Sequence, residues 1–484
     1  MDILRKLTPL EAVFNFYTQA TQSLIFPTTF LIDSAIDLFF HHEKITESIR
    51  NWKKSHPLLC CSLKNISDEF FFVKNTDNTL DNVFFLKPTD SDAQNWLKIH
   101  RNELLHQFQI EKDPLWRLFI VELDKNQPNE AYRYSFTINL HHSISDASNN
   151  FALIVELLYI IENNLKNEPK ELDQQRILCS SLELNFPNDP RFGRIHPDIS
   201  LEQFIESEKG PLLPEYFQSG QRYKFKSGSN GKFTSLEGQD YATYEDLEQK
   251  IDASNSGFVI KQISDLAVKK LFEKCRAKNL KLNSIFEVVS SMAFKKVSEK
   301  FCGKSCPSGT NKYEVSINMR PFLAIPNNVM GCWISFFEGE LNLDFDEMEE
   351  NFWSQSFWSL CEQKCKALHD NLKKKEFMSH EVAEMAAILL HLLKNGQRFK
   401  NYVYNYAISN MGDKSNQELG TMFKIKEYYP SLSYNVDNEF GLLATCSIQL
   451  KSFWTFSYNR KLFCDEAAKL FLDSIEEYIF KASA

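Results

Sequence analysis

Between Tyr134 and Leu140 the chain alternates. Tyr134, Phe136, Ile138 and Leu140 are apolar, and Ser135, Thr137 and Asn139 between them are polar. A period of two is that of a strand with one buried face. Further on the period changes. Phe151, Ile154, Val155, Leu158 and Ile161 recur at helical spacing, which predicts a helix from about Asn149. The stretch between strand and helix, His141-His142-Ser143-Ile144-Ser145-Asp146, is therefore a short connection held by rigid elements on both sides. Catalytic side chains are often carried on such loops.

The same reading extends along the chain. Thr8-Pro9-Leu10-Glu11 has the form of a helix start, with a capping threonine, proline at the first position and glutamate at the third. Thr28–Ile32 reads as a short extended piece, and Ile45, Ile49 and Trp52 mark a helix that ends before Pro57. Leu58–Leu63 and Phe70–Val73 read as strands, with Asn82–Leu86 a candidate to pair with the second. A helix over Ala93–Gln107 precedes a strand at Leu118–Leu123.

From Ile177 the texture changes. Pro187, Pro190, Pro197, Pro211 and Pro214 interrupt any regular element, and Ser227-Gly228-Ser229-Asn230-Gly231 has loop composition. This places an interdomain crossover at 177–257, between halves at 1–176 and 258–484. Order returns after Gly257. Ser264 is placed to cap a helix carrying Leu266, Leu271, Phe272 and Cys275, and Ser284-Ile285-Phe286-Glu287 reads as a capping box opening a second helix through Val297. Val315, Ile317 and Met319 alternate into a strand stopped by Pro321, and a further strand follows near Trp333–Phe337. Helices are predicted at Trp353–Leu372, Ser379–Leu393 and Asp465–Ile479, and strands at Tyr402–Ile408, Leu442–Ile448 and Phe453–Tyr458. Strands and helices intermix in both halves, so the fold class is α/β or α+β.

At 484 residues the chain is too long for one ordinary core, and two domains are expected. The 41 phenylalanines point to aromatic-rich cores or an apolar channel, and only 15 glycines, with no GxGxxG or P-loop, argue against a nucleotide of the usual kinds. A net charge of −9 argues against nucleic acid as a partner. Lys295-Lys296 and Lys373-Lys374-Lys375 read as solvated helix faces, with contact to the phosphates of coenzyme A as the alternative. Eleven scattered cysteines and no secretory h-region at the N-terminus lead to the expectation of a reducing, cytoplasmic location. No apolar run reaches the roughly 20 residues that span a bilayer. His380-Glu381-Val382-Ala383-Glu384 begins like a zincin helix but carries glutamate where the second histidine is required, so no metal site is expected there.

A histidine with aspartate four residues on occurs by chance in roughly every second chain of this composition. Context sharpens it here. Of the 11 histidines only His142 has that aspartate, Asp146. The other pair, His41-His42, has no acidic partner at that spacing and reads as structural or surface. Asn139-Leu140-His141-His142-Ser143-Ile144-Ser145-Asp146 resembles the HHxxxD signature of the chloramphenicol-acetyltransferase-like acyltransferases. That superfamily includes condensation domains, plant BAHD enzymes and alcohol acetyltransferases. Ser55-His56-Pro57-Leu58-Leu59, Asp113-Pro114-Leu115-Trp116-Arg117-Leu118, Asn318-Met319-Arg320-Pro321 and Ser409-Asn410-Met411-Gly412 resemble further family segments in the same order. Two departures stand out. Ala147 replaces the usual glycine after the motif, and Asp437-Asn438-Glu439-Phe440-Gly441 is only superficially like the plant DFGWG segment.

The resemblance implies two similar half-domains with an active-site tunnel between them. It implies acyl transfer from an acyl-CoA co-substrate to a small-molecule or lipid alcohol or amine, with no bound cofactor and no covalent acyl-enzyme. The rival readings are a stand-alone condensation-type enzyme fed by an acyl carrier protein, and a silent binding relative. Imidazole suits the base, because its unperturbed pKa of about 6.5 lies near neutrality. By the resemblance His142 is that base, His141 supports the loop, and Asp146 points away to pair with an arginine, for which Arg320 is the candidate. The alternative for Asp146 is to orient the imidazole as in a Ser-His-Asp triad. Asn410 and Gly412 match a loop near the family's tunnel and are candidates for substrate contact, with a plain turn as the other reading.

Overall fold

The computed structural model describes residues 2–168 and 255–484, apart from 22, 76–78, 87–94, 124–130, 264, 303–308, 376–385, 388, 392, 395–403, 416–418 and 435–439. The expected crossover up to residue 254, the cap at Ser264, the His380–Glu384 segment and most of the expected Ser379–Leu393 helix lie outside the described residues.

The first part of the chain runs β1 (Ile3–Lys6), α1 (Pro9–Thr21), β2 (Ile25–Ser34), α2 (His42–Ser55), β3 (Cys61–Ile66), β4 (Glu69–Lys74), β5 (Val83–Leu86), α3 (Asn95–Leu104), β6 (Trp116–Leu123), β7 (Tyr132–His141) and α4 (Ala147–Leu165). The second part begins β8 (Ser256–Ile263), α5 (Asp265–Ala277), α6 (Leu282–Cys302), β9 (Thr310–Asn318), α7 (Arg320–Leu323) and β10 (Ile334–Asn342). It ends α8 (Phe357–Lys374), β11 (Tyr406–Asp413), β12 (Phe423–Pro430), β13 (Gly441–Ile448), β14 (Lys451–Asn459) and α9 (Asp465–Ser483).

These elements form two mixed α/β lobes. The first is built on a five-stranded sheet of order β12-β2-β7-β6-β5, with a three-stranded sheet β1-β4-β3 beside it. The second is built on a six-stranded sheet of order β10-β9-β11-β13-β14-β8. In the first lobe the alternation of β7 does what it predicts. Tyr134, Phe136, Ile138 and Leu140 are fully buried in one core, with Phe151, Ile154, Leu158 and Ile161 of α4 packed in the same cluster. The start of α1 is a closed capping box. The Thr8 N–H donates to the Glu11 carboxylate at 2.8 Å and the Glu11 N–H donates to the Thr8 hydroxyl at 3.3 Å. That carboxylate also pairs with Arg5, so the box anchors the helix to β1.

Four details depart from the sequence reading. Pro57–Cys60 is a 3-10 turn, so the strand begins only at Cys61; Pro57 lacks the N–H a strand would use. β5 pairs in parallel with β6 rather than with β4, which is already flanked by β1 and β3. α6 begins at Leu282, and the Ser284 hydroxyl turns back to the Lys281 carbonyl at 2.7 Å instead of capping. The fourth is β12. This late strand crosses to the first lobe and pairs antiparallel with β2, with a bulge between Ile425 and Glu427. Phe423, Ile425, Tyr428 and Tyr429 thereby enter the first lobe's core. A strand from one half completing the sheet of the other ties the lobes together next to the end of β7.

Candidate active site

The site is the loop between β7 and α4, where the two lobes meet. β7 ends at His141, paired with Ile25 of β2, and the His141 N–H donates to the Leu115 carbonyl. The next carbonyl turns are short, with the Ile144 N–H on the His141 carbonyl at 3.0 Å. Asp146 then caps α4, its Oδ1 accepting from the Asn149 N–H at 3.0 Å. Helix α4 therefore starts at Ala147, two residues before the position predicted from periodicity alone. Asp146 has extended backbone, and Ala147 already has helical geometry, so the residue after the motif has no need of glycine's freedom.

His142 is buried, and its ring lies between aromatic faces. Phe14 of α1 is stacked on it at a centroid distance of 4.3 Å, and Phe26 of β2 is tilted against it at 5.1 Å. Its Nδ1 lies 2.9 Å from the Ser145 carbonyl oxygen. A carbonyl only accepts, so Nδ1 carries the proton and Nε2 presents a lone pair. Among the described residues Nε2 has no hydrogen-bond partner. Burial holds the imidazole below its usual pKa of 6.5; its own backbone, the Asp146 charge and the Ser145 carbonyl pull the other way. The ring is thus neutral at pH 7, with its free nitrogen poised to take a proton. Cys332 Sγ, from the second lobe, lies 4.0 Å from Nδ1.

His141 is fully buried, and burial takes its pKa to about 3. Its Nδ1 receives the Ser143 N–H at 3.3 Å and contacts the Ser143 hydroxyl at 2.7 Å. Those bonds fold the loop; they do not reach outward.

The Asp146 carboxylate turns away from His142. Oδ2 accepts from Arg320 Nη1 at 2.5 Å and from the Trp333 N–H at 3.0 Å. Arg320 is fully buried, and its Nη2 donates to the Val329 and Gly331 carbonyls at 3.0 and 3.1 Å. The structure therefore brings Asp146 and Arg320 together across the lobe boundary, and no triad geometry joins Asp146 to His142. Further bonds reinforce the seam. Asn149 Nδ2 donates to the Asn327 and Val329 carbonyls, and the Gly331 N–H donates to Ile144. The Tyr428 hydroxyl, on β12, donates to the Ala147 carbonyl at 3.1 Å. Glu156 of α4 joins His56 at 3.1 Å and Asn328 at 3.2 Å, so the segment expected to matter around His56 also braces this seam.

Asn410 and Gly412 lie in β11, not in a loop. Asn410 Oδ1 accepts the Gly412 N–H at 2.9 Å, and its Nδ2 donates to Asn283 at 3.2 Å, so both ends of the amide are used inside the second lobe. Gly412 has φ +71°, a value that suits glycine and marks a bulge where the pairing of β11 with β13 shifts. His41 and His42 sit at the start of α2, with His42 against Phe85, far along the fold from this loop. Of the lysines named for contact with phosphate, Lys295 and Lys296 have partners within the second lobe. Lys295 donates to the Leu343 and Phe345 carbonyls, and Lys296 pairs with Glu477 at 2.7 Å.

The aromatic clamp on His142, the Cys332 contact and the Trp333 N–H are absent from the sequence reading. Phe14 lies on a correctly predicted apolar helix face, but nothing in the spacing says which side chain that face covers.

No protein-family model matches the chain, and no curated protein matches it. Solved structures do. TRI3 trichothecene 15-O-acetyltransferase from Fusarium sporotrichioides is 11% identical, with a TM-score of 0.70 over 99% of this chain and 95% of that one. The condensation domain of the monacolin K polyketide synthase MokA is 10% identical, with a TM-score of 0.63 over 100% and 98%. The starter condensation domain of rhizomide synthetase RzmA, solved as a variant in complex with C8-CoA and Leu-SNAC, is 10% identical, with a TM-score of 0.62 over 99% and 94%. With almost the whole of each chain superposed, this protein has the two-lobed fold shared by chloramphenicol-acetyltransferase-like acyltransferases and condensation domains.

Proposed function

We propose that this protein is an acyltransferase that moves an acyl group from an acyl-CoA thioester to an alcohol, with His142 as general base and no covalent acyl-enzyme. The observation that carries the reading is the His142 tautomer. Nδ1–H is fixed on the Ser145 carbonyl, and the Nε2 lone pair is left free in a buried, aromatic-walled position at the lobe boundary. A base placed there takes the hydroxyl proton as the acceptor oxygen attacks the thioester carbonyl. The resulting imidazolium then protonates the departing thiolate, so the proton count balances without an enzyme-bound ester. Exclusion of water by the surrounding aromatic side chains protects the thioester from hydrolysis. His141 folds the loop, and the Asp146–Arg320 pair holds it against the second lobe. The names of the fold's other bearers, an O-acetyltransferase and a condensation domain bound to an acyl-CoA, support the donor class.

The test is incubation with a panel of acyl-CoAs and alcohols, with free thiol and product followed by mass spectrometry. Ester formation at the same rate as thiol release is the expected result. Thiol release without an acylated acceptor would leave only idle hydrolysis and remove the transferase reading. Turnover confined to acyl groups on a carrier protein would move the assignment to a condensation-type enzyme.

A further inference from the structure

Strands β9, β11 and β13 run parallel, and their carboxyl ends share one edge of the six-stranded sheet. That edge meets the start of α4. In open sheets of parallel strands, the crevice beyond the carboxyl ends is where ligands are taken. Two cations leave the edge from neighbouring strands. β9 leads into Arg320, whose charge is matched by Asp146. β11 leads into Lys414, whose N–H bonds the Ser447 carbonyl at 2.7 Å at the end of β13.

Lys414 is not matched. Its Nζ lies 5.2 Å above the ring of Phe151, in the second turn of α4, and the residue is half-buried. Among the described residues the ammonium makes no hydrogen bond and no ion pair. The other enclosed cations are satisfied: Arg5 by Glu11, Lys261 by Asp473 and Glu476, Lys295 by two carbonyls and Lys296 by Glu477. Three titratable groups bear on Lys414, namely Cys446, Asp146 and Asp413. None is bonded to it. Burial keeps the Cys446 thiol neutral. Asp146 is turned to Arg320, Trp333 and Asn149. Asp413 Oδ1 accepts from the backbone N–H and the hydroxyl of Ser415. Burial lowers its pKa from the ordinary lysine value, with Cys446, Asp146 and Asp413 pulling the other way. Among the described residues no anion is bonded to Lys414.

We propose that Lys414 contacts a phosphate of the thioester donor, on coenzyme A or on a 4′-phosphopantetheine arm, in the crevice between the end of β11 and the start of α4. The proposal rests on the acyl-transfer reading for its ligand, and the crevice is on the same edge of the sheet as the Arg320 anchor of the active-site loop.

Calorimetric titration of the full chain with coenzyme A, 4′-phosphopantetheine and pantetheine tests it, using wild type, Lys414→Met and Lys414→Arg. A charged hydrogen bond lost from a binding site costs about tenfold or more in affinity. Lys414→Met should lose that factor for phosphate-bearing ligands, keep wild-type affinity for pantetheine, and be largely rescued by Lys414→Arg. A loss on both phosphate-bearing probes assigns the contact to the phosphate they share. A loss on coenzyme A alone assigns it to the nucleotide phosphates and names coenzyme A as the source. Equal weakening of pantetheine, or unchanged affinity for all three, overturns the proposal. Acyl transfer measured on the same preparations separates the two readings. Phosphate-selective, Lys414-dependent binding without ester formation would remove the acyltransferase reading and keep the site. Transfer with an unchanged KM for acyl-CoA in Lys414→Met would do the reverse.

Discussion

Asp146 and Arg320 come from different lobes, and replacing either tests whether the lobes are held by this pair. Asp146 is 2% exposed and Arg320 is fully buried, so neither charge is accessible to solvent when its partner is removed. Attraction between unit charges about 4 Å apart is about 4 kcal/mol at an effective dielectric of 20, and breaking a buried pair from one side costs about 3–5 kcal/mol. Arg320→Met leaves the Asp146 carboxylate with only the Trp333 and Asn149 N–H groups. Asp146→Asn keeps the helix cap but leaves the guanidinium with two carbonyls and an Nε that already has no partner. At about 2–4 °C per kcal/mol for a domain of this size, each single variant should lose about 6–20 °C in Tm. The double variant removes both charges, so it should fall well short of the sum of the two losses, by about 0.5–3 kcal/mol of coupling. Turnover should fall with stability in both singles, because the loop carrying His142 loosens.

The assay is a double-mutant cycle with melting temperature and turnover measured on the same samples. Strict additivity would mean that the side chains do not touch and would refute the geometry. A large loss of turnover in Asp146→Asn with an unchanged melting temperature would refute the anchoring role and restore a triad, with Asp146 acting on the imidazole.

The other predictions concern the histidines and the clamp. His142→Ala should lower turnover by about 10²–10⁴-fold, far more than the modest fall in melting temperature from the emptied ring position accounts for, whereas His41→Ala and His42→Ala should leave turnover intact; steady-state kinetics on the three decides. Phe14→Leu keeps an apolar side chain over the ring but removes the stack, worth about 0.5–1.5 kcal/mol, so kcat should fall about 2- to 10-fold, and an unchanged kcat would show that the clamp does not position the base. His100 and His141 are fully buried, and burial takes both pKa values to about 3. Below the unfolded value of 6.5 the unfolded chain binds protons that the folded one refuses, so stability falls as pH drops from 6.5, by about 1.4 kcal/mol per pH unit for each group. His106, lowered by burial to about 4, adds to that fall, and Glu287, raised by burial to about 7, acts in the opposite sense between 4.5 and 7 without cancelling it. Denaturant titrations at pH 7 and pH 5 should therefore show wild type weaker at pH 5, and His100→Gln should show a smaller difference; an equal difference would exclude His100 as a contributor.

What the sequence made legible is what short-range physics governs. The period-two strand β7, the helix after it and the capping box of α1 are each decided within a few residues, and all three stand in the structure. The spacing of His142 and Asp146 is legible for the same reason, since four residues fix a turn. Arg320 was reachable only through the resemblance, because its meeting with Asp146 spans 174 positions and leaves no periodicity. Phe14 and Phe26 are ordinary core positions in the fold; that the core there includes the imidazole is a tertiary fact. β12 is the instructive miss. Phe423 and Ile425 alternate with Lys424 and Lys426, so the strand was written locally, but its pairing with β2 rather than with its neighbours in sequence was not. The lysine clusters, read as solvated helix faces with phosphate contact as the alternative, need their partners to be placed. A run of like charges can look like an anion site in sequence, whereas in the fold Lys295 and Lys296 point to different partners, and Lys414, outside either run, lies over Phe151.

The separation of Asp146 from His142 has a chemical consequence. An imidazole whose Nδ1–H is held by a carboxylate gains a charge that stabilises its protonated form. Here Nδ1–H is held by the neutral Ser145 carbonyl, and the nearby carboxylate is matched by Arg320. Burial then dominates, and the pKa of His142 lies below the usual imidazole value. Such a base starts neutral across the physiological range, and its conjugate acid is strong. In the proposed reaction, proton uptake from the alcohol would then have to be driven by formation of the carbon–oxygen bond, and return of the proton to the leaving thiolate would be downhill. That balance suits a reaction with two proton transfers and no stored intermediate on the enzyme. The negative charge is kept one turn away: Asp146 sets the start of α4 and pairs with Arg320 across the lobes, tasks that need a carboxylate, while the His142 ring is held by the Ser145 carbonyl and by the faces of Phe14 and Phe26.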